Sequence, residues 1–313
     1  MLRKGDLSVM IVDDMEGISG IDNYLQIMYG YKEFEEFGRV QITEDVNAAI
    51  RGLRTAGATD VRIADWHGSG GPSANIIPER LEKNVKLFQD PDFEKRLSNA
   101  ASGPVKASVF IGFHAMADTR DGFLSHTITL EPRVKVNDRP VGETYLTALA
   151  LSEYDIPVIM ATGDQALVRE ASSFLPGIEA VQVKTTSNRR TTNCLPLAEA
   201  RKLIEDAATR ALSRRSEFKP IRIKKPIKVE ISYPIKDYAD LAEVIPKASR
   251  ASEKAVSYVA DSWAEANRFI RTANSLATQL RMRSLMEELN KLEKVQEISR
   301  NVRDKRMAEW AYQ

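Results

Sequence analysis

Short apolar, β-branched runs alternate along the chain with stretches whose apolar residues recur at helical spacing. The first run, Ser8 to Val12, is almost wholly apolar and predicts a central strand. Residues 42–56 predict a helix, with Thr43 as its N-cap and Gly57 as its stop signal. A second strand is predicted directly after it, at Asp60 to Ala64. This alternation is typical of an α/β protein with a substantial parallel sheet.

The same alternation continues to about residue 218. Strands are predicted at Ala107 to Gly112, Val158 to Met160 and Ala180 to Val183, and helices at Gly142 to Leu151, Gln165 to Phe174 and Ala198 to Leu212. A basic, proline-containing stretch, Lys219 to Pro226, predicts a linker. We therefore expect an α/β fold in which a mainly parallel sheet is flanked by helices.

The chain beyond the linker has a different pattern. It predicts strands at Lys228 to Ser232 and Ala255 to Val259, a short helix near Ile235 to Val244, and then a long C-terminal helix. From about Arg281 the sequence is dense in charge, which is typical of a solvated or partner-binding helix. We predict three parts: an α/β domain over residues 1–218, a smaller α+β region over 227–280 and a charged helical extension over 281–313.

The composition narrows the classes of protein. The 313 residues are 43% hydrophobic, enough for a large core, and 45 Lys and Arg against 44 Asp and Glu leave a net charge of +1. That balance gives no field for attracting nucleic acid or a membrane surface. The single cysteine, Cys194, cannot form an internal disulfide, and the run Val9 to Val12 is too short for a signal-peptide core. We expect a cytoplasmic protein with no nucleic-acid or membrane partner.

Acidic and histidine side chains follow three predicted strands. Asp14 and Glu16 lie two positions apart where the first strand ends, so both face one side, whereas Asp13 faces the other. His67 and His114, two of the three histidines in the chain, follow the next strands. Any one of them alone is more often a packed structural side chain, but ligands of α/β sheets bind where such strand ends meet. Imidazole and carboxylate ligands suit zinc, and manganese or cobalt would fit them too.

Other polar features carry less information by themselves. Glu143 begins a predicted helix, where a glutamate commonly complements the helix dipole. Ser125 lies beside His126 but has no Gly-x-Ser-x-Gly elbow around it. The glycine-rich turn Gly68 to Gly71 lacks the Gly-Lys-Ser/Thr ending of a phosphate-binding loop and predicts a flexible loop that lines the site.

Five ordered motifs resemble those of the D-aminopeptidase family of metallopeptidases. They are Val-Asp-Asp-Met-Glu-Gly-Ile-Ser-Gly (12–20), Asp65-Trp66-His67, Gly-Phe-His-Ala (112–115), Ser125-His126 and Asn-Asp-Arg-Pro-Val-Gly-Glu (137–143). The resemblance runs from about Ser8 to Leu280. Asp13 stands where the family usually has an apolar or small residue, and the segment from Arg281 extends beyond the family pattern.

The resemblance implies that Asp14, Glu16, His67, His114 and Glu143 bind two zinc ions per subunit, with Asp14 as the bridging ligand, and leaves His126 for catalysis. It also implies a cytoplasmic, ring-shaped homo-oligomer that removes N-terminal residues from short peptides containing D-amino acids. In the mechanism that we expect, a metal-activated water attacks the amide carbonyl while His126 transfers a proton or stabilises the oxyanion.

Two alternatives stay open at the level of sequence. A binuclear-metal hydrolase on the same scaffold could act on an L-peptide or another small amide, because the stereochemistry of the substrate cannot be deduced from these residues. A ring-forming scaffold could instead retain the metal without turnover and use the C-terminal helix as its interaction surface.

Overall fold

The computed structural model describes residues 7–69 and 74–311. Its strands are β1 (Ser8–Asp13), β2 (Asp60–Asp65), β3 (Val85–Phe88), β4 (Val105–Ile111), β5 (Arg133–Val136), β6 (Arg139–Val141), β7 (Val158–Asp164), β8 (Glu179–Asn188), β9 (Thr191–Cys194), β10 (Ile227–Ser232), β11 (Ser249–Ser252) and β12 (Ala255–Ala260). Its helices are α1 (Arg39–Thr55), α2 (Phe93–Ala101), α3 (Glu143–Ser152), α4 (Gln165–Phe174), α5 (Leu197–Ser213), α6 (Lys236–Glu243), α7 (Trp263–Leu289) and α8 (Glu293–Ala311).

The larger sheet has seven strands in the order β3-β2-β1-β4-β7-β8-β9. All neighbouring strands in it are parallel except β8 and β9, which form an antiparallel pair at one edge. Strand β1 lies at the centre and pairs with β2 from Ser8 and Asp60 to Asp13 and Asp65. The carboxyl ends of β1, β2 and β4 therefore lie side by side at one edge of the sheet.

Alternating residues of β1 supply the cores on the two faces of this sheet. Val9 and Ile11 pack into a core with apolar residues of α1 and α5. Met10 and Val12 pack into a second core with α2, α3, α4 and the C-terminal elements. Because β1 is fully buried on both faces, a continuous apolar run is the pattern that this position requires.

The second sheet is antiparallel, with the order β11-β12-β10-β5-β6. Strand β10 pairs with β12 on one side and with β5 on the other. Helices α6 and α7 pack against this sheet through buried residues such as Ala239, Phe269 and Ile270. Two of its strands thus precede the predicted boundary near residue 218 and three follow it, and the division into domains stays a prediction.

The predicted fold class is confirmed, and most predicted elements lie within a few residues of their expected positions. The N-cap prediction at Thr43 is wrong: α1 begins at Arg39, directly after a π-helical turn, and the Thr43 hydroxyl donates to the Arg39 carbonyl at 2.7 Å inside the helix. Gly57 does end α1, with a φ of 95°. The C-terminal extension forms the end of α7 and a separate helix, α8. Within the described ranges, no helix is long and apolar enough to cross a membrane.

Candidate metal centre

Close backbone contact joins the loops that follow β1 and β4. The Gly17 amide donates to the Gly112 carbonyl at 2.7 Å, and the Asp14 amide donates to the Ile111 carbonyl at 2.8 Å. Gly112 has a left-handed φ of 76°, and a Cβ on it would lie 2.2 Å from the Asp14 carbonyl oxygen. Only glycine fits there, because a side chain would both strain the backbone and force the two loops apart.

His67 lies directly against the carboxylates that follow β1. Its Nδ1 is 2.9 Å from Asp14 Oδ1 and 3.3 Å from Glu16 Oε2. Its Nε2 is 3.0 Å from the Ile27 carbonyl oxygen, which can only accept, so Nε2 carries a proton. When the ring is neutral, its lone pair therefore lies on Nδ1, toward the two carboxylates.

His114 has the same arrangement with its two nitrogens exchanged. Its Nδ1 donates to the Ala115 carbonyl at 3.0 Å. Its Nε2 lies 3.4 Å from Asp14 Oδ2 and 3.3 Å from Glu143 Oε1. Asp14 thus presents one carboxylate oxygen to each histidine and lies between two groups of possible ligands, Asp14 with Glu16 and His67, and Asp14 with His114 and Glu143.

His126 completes the cluster from the loop between β4 and β5. Its ring stacks on His114, with centroids 4.0 Å apart, and its Nδ1 donates to the Leu124 carbonyl at 2.8 Å. Its Nε2 lies 3.8 Å from Glu143 Oε1 and 4.0 Å from Glu16 Oε1. Burial and the charge of His114 lower the pKa of His126, so the free ring is neutral with its lone pair facing the cluster. With Glu16 and His114 it forms a third possible ligand group.

Strong electrostatic coupling runs through the cluster. Burial and the neighbouring Glu16 raise the pKa of Asp14 to about 7. Burial alone would raise the pKa of Glu143, but the hydrogen bond and charge of His114 lower it to about 2. Burial alone would lower the pKa values of His67 and His114, yet the surrounding carboxylates raise both well above the usual range. The buried carboxylates thus need positive charge beside them, from protons or from a cation.

These residues fit a divalent cation. Glu16 Oε2 is buried and accepts no hydrogen bond from the part of the chain that the structure describes. In both His67 and His114, the ring nitrogen that faces away from the cluster donates a hydrogen bond to a backbone carbonyl. Proteins orient histidine ligands of metals in this way. Imidazole nitrogens and carboxylate oxygens within 4.8 Å of one another match the ligands that zinc takes in proteins.

A buried lysine that sequence reasoning missed supports the loop after β1. Lys184 is fully buried, and its Nζ donates to the carbonyls of Glu16 at 2.8 Å and Ile21 at 2.6 Å. Burial lowers its pKa to about 8. A register shift after the pair Gly163 and Gln182 turns Lys184 inward from β8. A pattern of alternating residues contains no sign of that shift.

Two acidic residues near the start and middle of α4 also support the site. Asp164 caps the helix through the Ala166 and Leu167 amides and accepts the Phe123 amide at 2.7 Å, ahead of the His126 loop. Glu170 accepts the Met116 amide at 2.7 Å, and burial raises its pKa to about 7. A helix pattern shows Glu170 only as a polar residue on a buried face, so it could not be singled out.

Two features noted in the sequence make their contacts outside the cluster. Asp13 is buried beside Asp65 and Arg96, and burial together with Asp65 raises its pKa well above the usual range. The Ser125 hydroxyl donates to the Thr119 carbonyl at 2.7 Å, so it is engaged structurally. In the glycine-rich turn, residues 70 and 71 lie outside the described residues.

A parallel α/β sheet with imidazoles and carboxylates gathered at its carboxyl edge is typical of metal-dependent hydrolases. Residues 7–272 match the sequence model of the M55 peptidases, described as D-aminopeptidase. A D-aminopeptidase of Bacillus subtilis (strain 168) is 30% identical over 234 residues, which are 74% of this chain and 84% of that protein. A solved structure, the Zn-dependent D-aminopeptidase DppA from Bacillus subtilis, described as a self-compartmentalizing protease, superposes with a TM-score of 0.80. It is 27% identical, and the match covers 87% of this chain and 98% of that one.

The chain therefore belongs to the D-aminopeptidase family of M55 peptidases. It is an enzyme of the hydrolase class that cleaves peptide bonds, as the resemblance of its motifs implies.

Proposed function

We propose that this protein is a zinc-dependent aminopeptidase that removes the N-terminal residue of short peptides containing D-amino acids. The observation that carries the proposal is the pair of oriented histidines. In His67 and in His114, one ring nitrogen donates a hydrogen bond to a backbone carbonyl and the other faces a shared carboxylate, Asp14. The similarity to D-aminopeptidases supports the same reaction.

Two zinc ions per subunit fit the ligand groups. Asp14, Glu16 and His67 would bind one ion, and Asp14, His114 and Glu143 the other, so that Asp14 bridges them. Asp14 has an oxygen facing each histidine, as a bridging carboxylate requires. When bound, such ions lower the pKa of water and polarise the carbonyl of the scissile bond.

His126 is the proposed acid and base. The Leu124 carbonyl holds the proton on Nδ1, so Nε2 presents its lone pair to the cluster. Nε2 accepts a proton as water attacks the carbonyl carbon, and returns it to the departing amine when the C–N bond breaks. Burial, which lowers the pKa of His126, favours the neutral ring that can accept a proton.

Assembly and location complete the proposal. The neighbour DppA is described as self-compartmentalizing, and we propose that this chain also forms a homo-oligomer, with a ring as the specific form. The lone cysteine supports a reducing, cytoplasmic location.

Hydrolysis of paired D- and L-aminoacyl amides and dipeptides, by zinc-loaded and chelated protein, tests the function. We expect turnover of the D-substrates that disappears with chelation and returns with zinc. A preference for L-substrates would instead support the alternative peptidase, and metal binding without turnover would support a scaffold.

Variants test the roles of individual histidines. His67→Ala and His114→Ala should release zinc, as measured by elemental analysis. His126→Ala should keep its zinc and lose about 100- to 10,000-fold in turnover. Unchanged zinc in the first two variants would contradict the ligand assignment, and undiminished turnover in the third would contradict the proton-transfer role.

A further inference from the structure

A cavity of about 450 Å³ opens beside the candidate metal centre. Glu143 and Arg271, the latter from helix α7, both line it. Its walls include the apolar side chains of Ile128, Leu146 and Trp263. This volume lies in the range of cavities that hold small ligands.

Arg271 is a cation with few partners. Its Nε is buried and donates no hydrogen bond within the described ranges. The nearest acid, Glu94, lies 3.9 Å from Nε, beyond hydrogen-bond distance. The Glu94 carboxylate instead accepts a hydrogen bond from Asn267 at 2.7 Å. The negative charges of Glu143, Glu94 and Asp92 act on the guanidinium, but its Nε keeps the capacity to donate a hydrogen bond to an anion.

Packing holds the guanidinium at the cavity wall. It lies over the Trp66 ring, 5.3 Å from the centroid, and Trp66 directly precedes His67. About a third of the side chain, 31%, stays accessible, whereas Arg268 and Lys95 on the same cavity are exposed. Arg271 is thus the partly buried cation of the cavity, and its planar group suits two-point binding of a carboxylate.

We propose that Arg271 binds the C-terminal carboxylate of the peptide substrate. This assignment rests on the proposed function, since it places the scissile bond at the candidate metal centre beside Glu143. In a dipeptide the carboxylate follows the scissile bond by one residue, roughly 3.5 Å of extended chain. Short peptides with a free C-terminus are then the preferred substrate class, and the apolar walls contact the side chain of the second residue.

The kinetic test compares D-alanyl-D-alanine with its C-terminal amide, which lacks the negative charge. In the zinc-loaded wild type we expect kcat/KM to favour the free acid by at least about tenfold. Arg271→Gln should lower this ratio about 10- to 100-fold, mainly through KM, because a charged hydrogen-bonded contact is lost. Arg271→Lys keeps the charge without the two-point geometry and should give an intermediate ratio. Arg283→Gln, on an exposed turn of the same helix, is the matched control and should keep the wild-type ratio.

A binding measurement separates this proposal from the proposed function. N-acetyl-D-alanyl-D-alanine and its amide have no free N-terminal amine, and calorimetry measures their binding to zinc-loaded protein. Tighter binding of the acid that depends on Arg271 supports the carboxylate site even if no peptide is hydrolysed. The assignment would be overturned, even if hydrolysis is observed, by either of two results. The wild type could bind the acid and the amide equally, or the preference for the acid could survive in both Arg271→Gln and Arg271→Lys.

Discussion

Gly112→Ala tests the close approach of the two loops at the candidate metal centre. The added Cβ would lie 2.2 Å from the Asp14 carbonyl oxygen and 2.4 Å from Ile18 Cδ1. Both distances are far inside van der Waals contact, and one neighbour is backbone. The loop that carries Asp14 must therefore move by roughly 1 Å to reach an ordinary contact distance.

Two effects add in this variant. A left-handed φ costs a residue other than glycine about 1–2 kcal/mol. Insertion of a methyl group into closely packed surroundings typically costs about 1–3 kcal/mol. We expect a loss of about 2–5 kcal/mol in the free energy of unfolding. At about 2 cal/mol/K of unfolding entropy per residue, this corresponds to a fall of about 3–8 °C in the melting temperature.

Gly177→Ala is the matched control. Gly177 has a nearly identical φ of 79°, but a Cβ there has no neighbour within 4 Å. This variant should lose only the conformational part, about 1 kcal/mol after the stiffening of the unfolded chain is included. Calorimetric melting of both variants measures the lost stability, and zinc titration shows whether the loop that carries Asp14 has moved. We expect weakened zinc binding in Gly112→Ala alone, and equal losses with unchanged zinc affinity in both variants would refute the reasoning.

Two further predictions concern the support of the site and the C-terminal extension. Lys184→Met removes the donor of the buried carbonyls of Glu16 and Ile21, so we expect about 2 kcal/mol or more of lost stability and a lower zinc affinity by titration. Lys202→Met, at an exposed position, is the control. Unchanged zinc affinity in Lys184→Met would speak against a supporting role. Deletion of residues 281–313 removes exposed apolar residues such as Leu285, Ile298 and Val302. Light scattering should therefore show a changed mass of the assembly, with the zinc content retained. An unchanged mass together with lost zinc would contradict this prediction.

Much of the α/β fold follows from local patterns. Strand β1 is apolar at nearly every position because both of its faces are buried, and α1 has helical spacing because one face packs against the sheet. The short strands β5 and β6 could not be predicted in this way. Strand β5 pairs with β10, about 90 residues further along the chain, and β6 pairs with β5. Their three or four residues carry too little pattern.

The residues of the candidate site also differ in whether local sequence patterns indicate them. His67 and His114 stand out in the sequence because histidines are scarce in it and both follow predicted strands, and the structure places both against Asp14. Only the family resemblance indicates Glu143, since its position also suits a helix start. Lys184 and Arg271 gave no signal at all. One depends on a register shift in β8 and the other on the docking of α7 against Trp66, and both are consequences of tertiary structure.

The loop around His126 shows how stability and site geometry are connected. Ile128 has a φ of 68° and Leu124 a φ of 47°, conformations that cost such side chains about 1–3 kcal/mol each. Hydrogen bonds hold the loop in this shape: the Ile128 amide donates to Glu143 at 2.6 Å and the Leu124 amide to the Arg189 carbonyl at 3.0 Å. A relaxed loop would move the Leu124 carbonyl that fixes the proton on His126 Nδ1. The fold thus keeps Leu124 and Ile128 in strained conformations that orient the His126 imidazole. Because Glu143 accepts the Ile128 amide and is itself a proposed ligand, it links this loop to the proposed metal site.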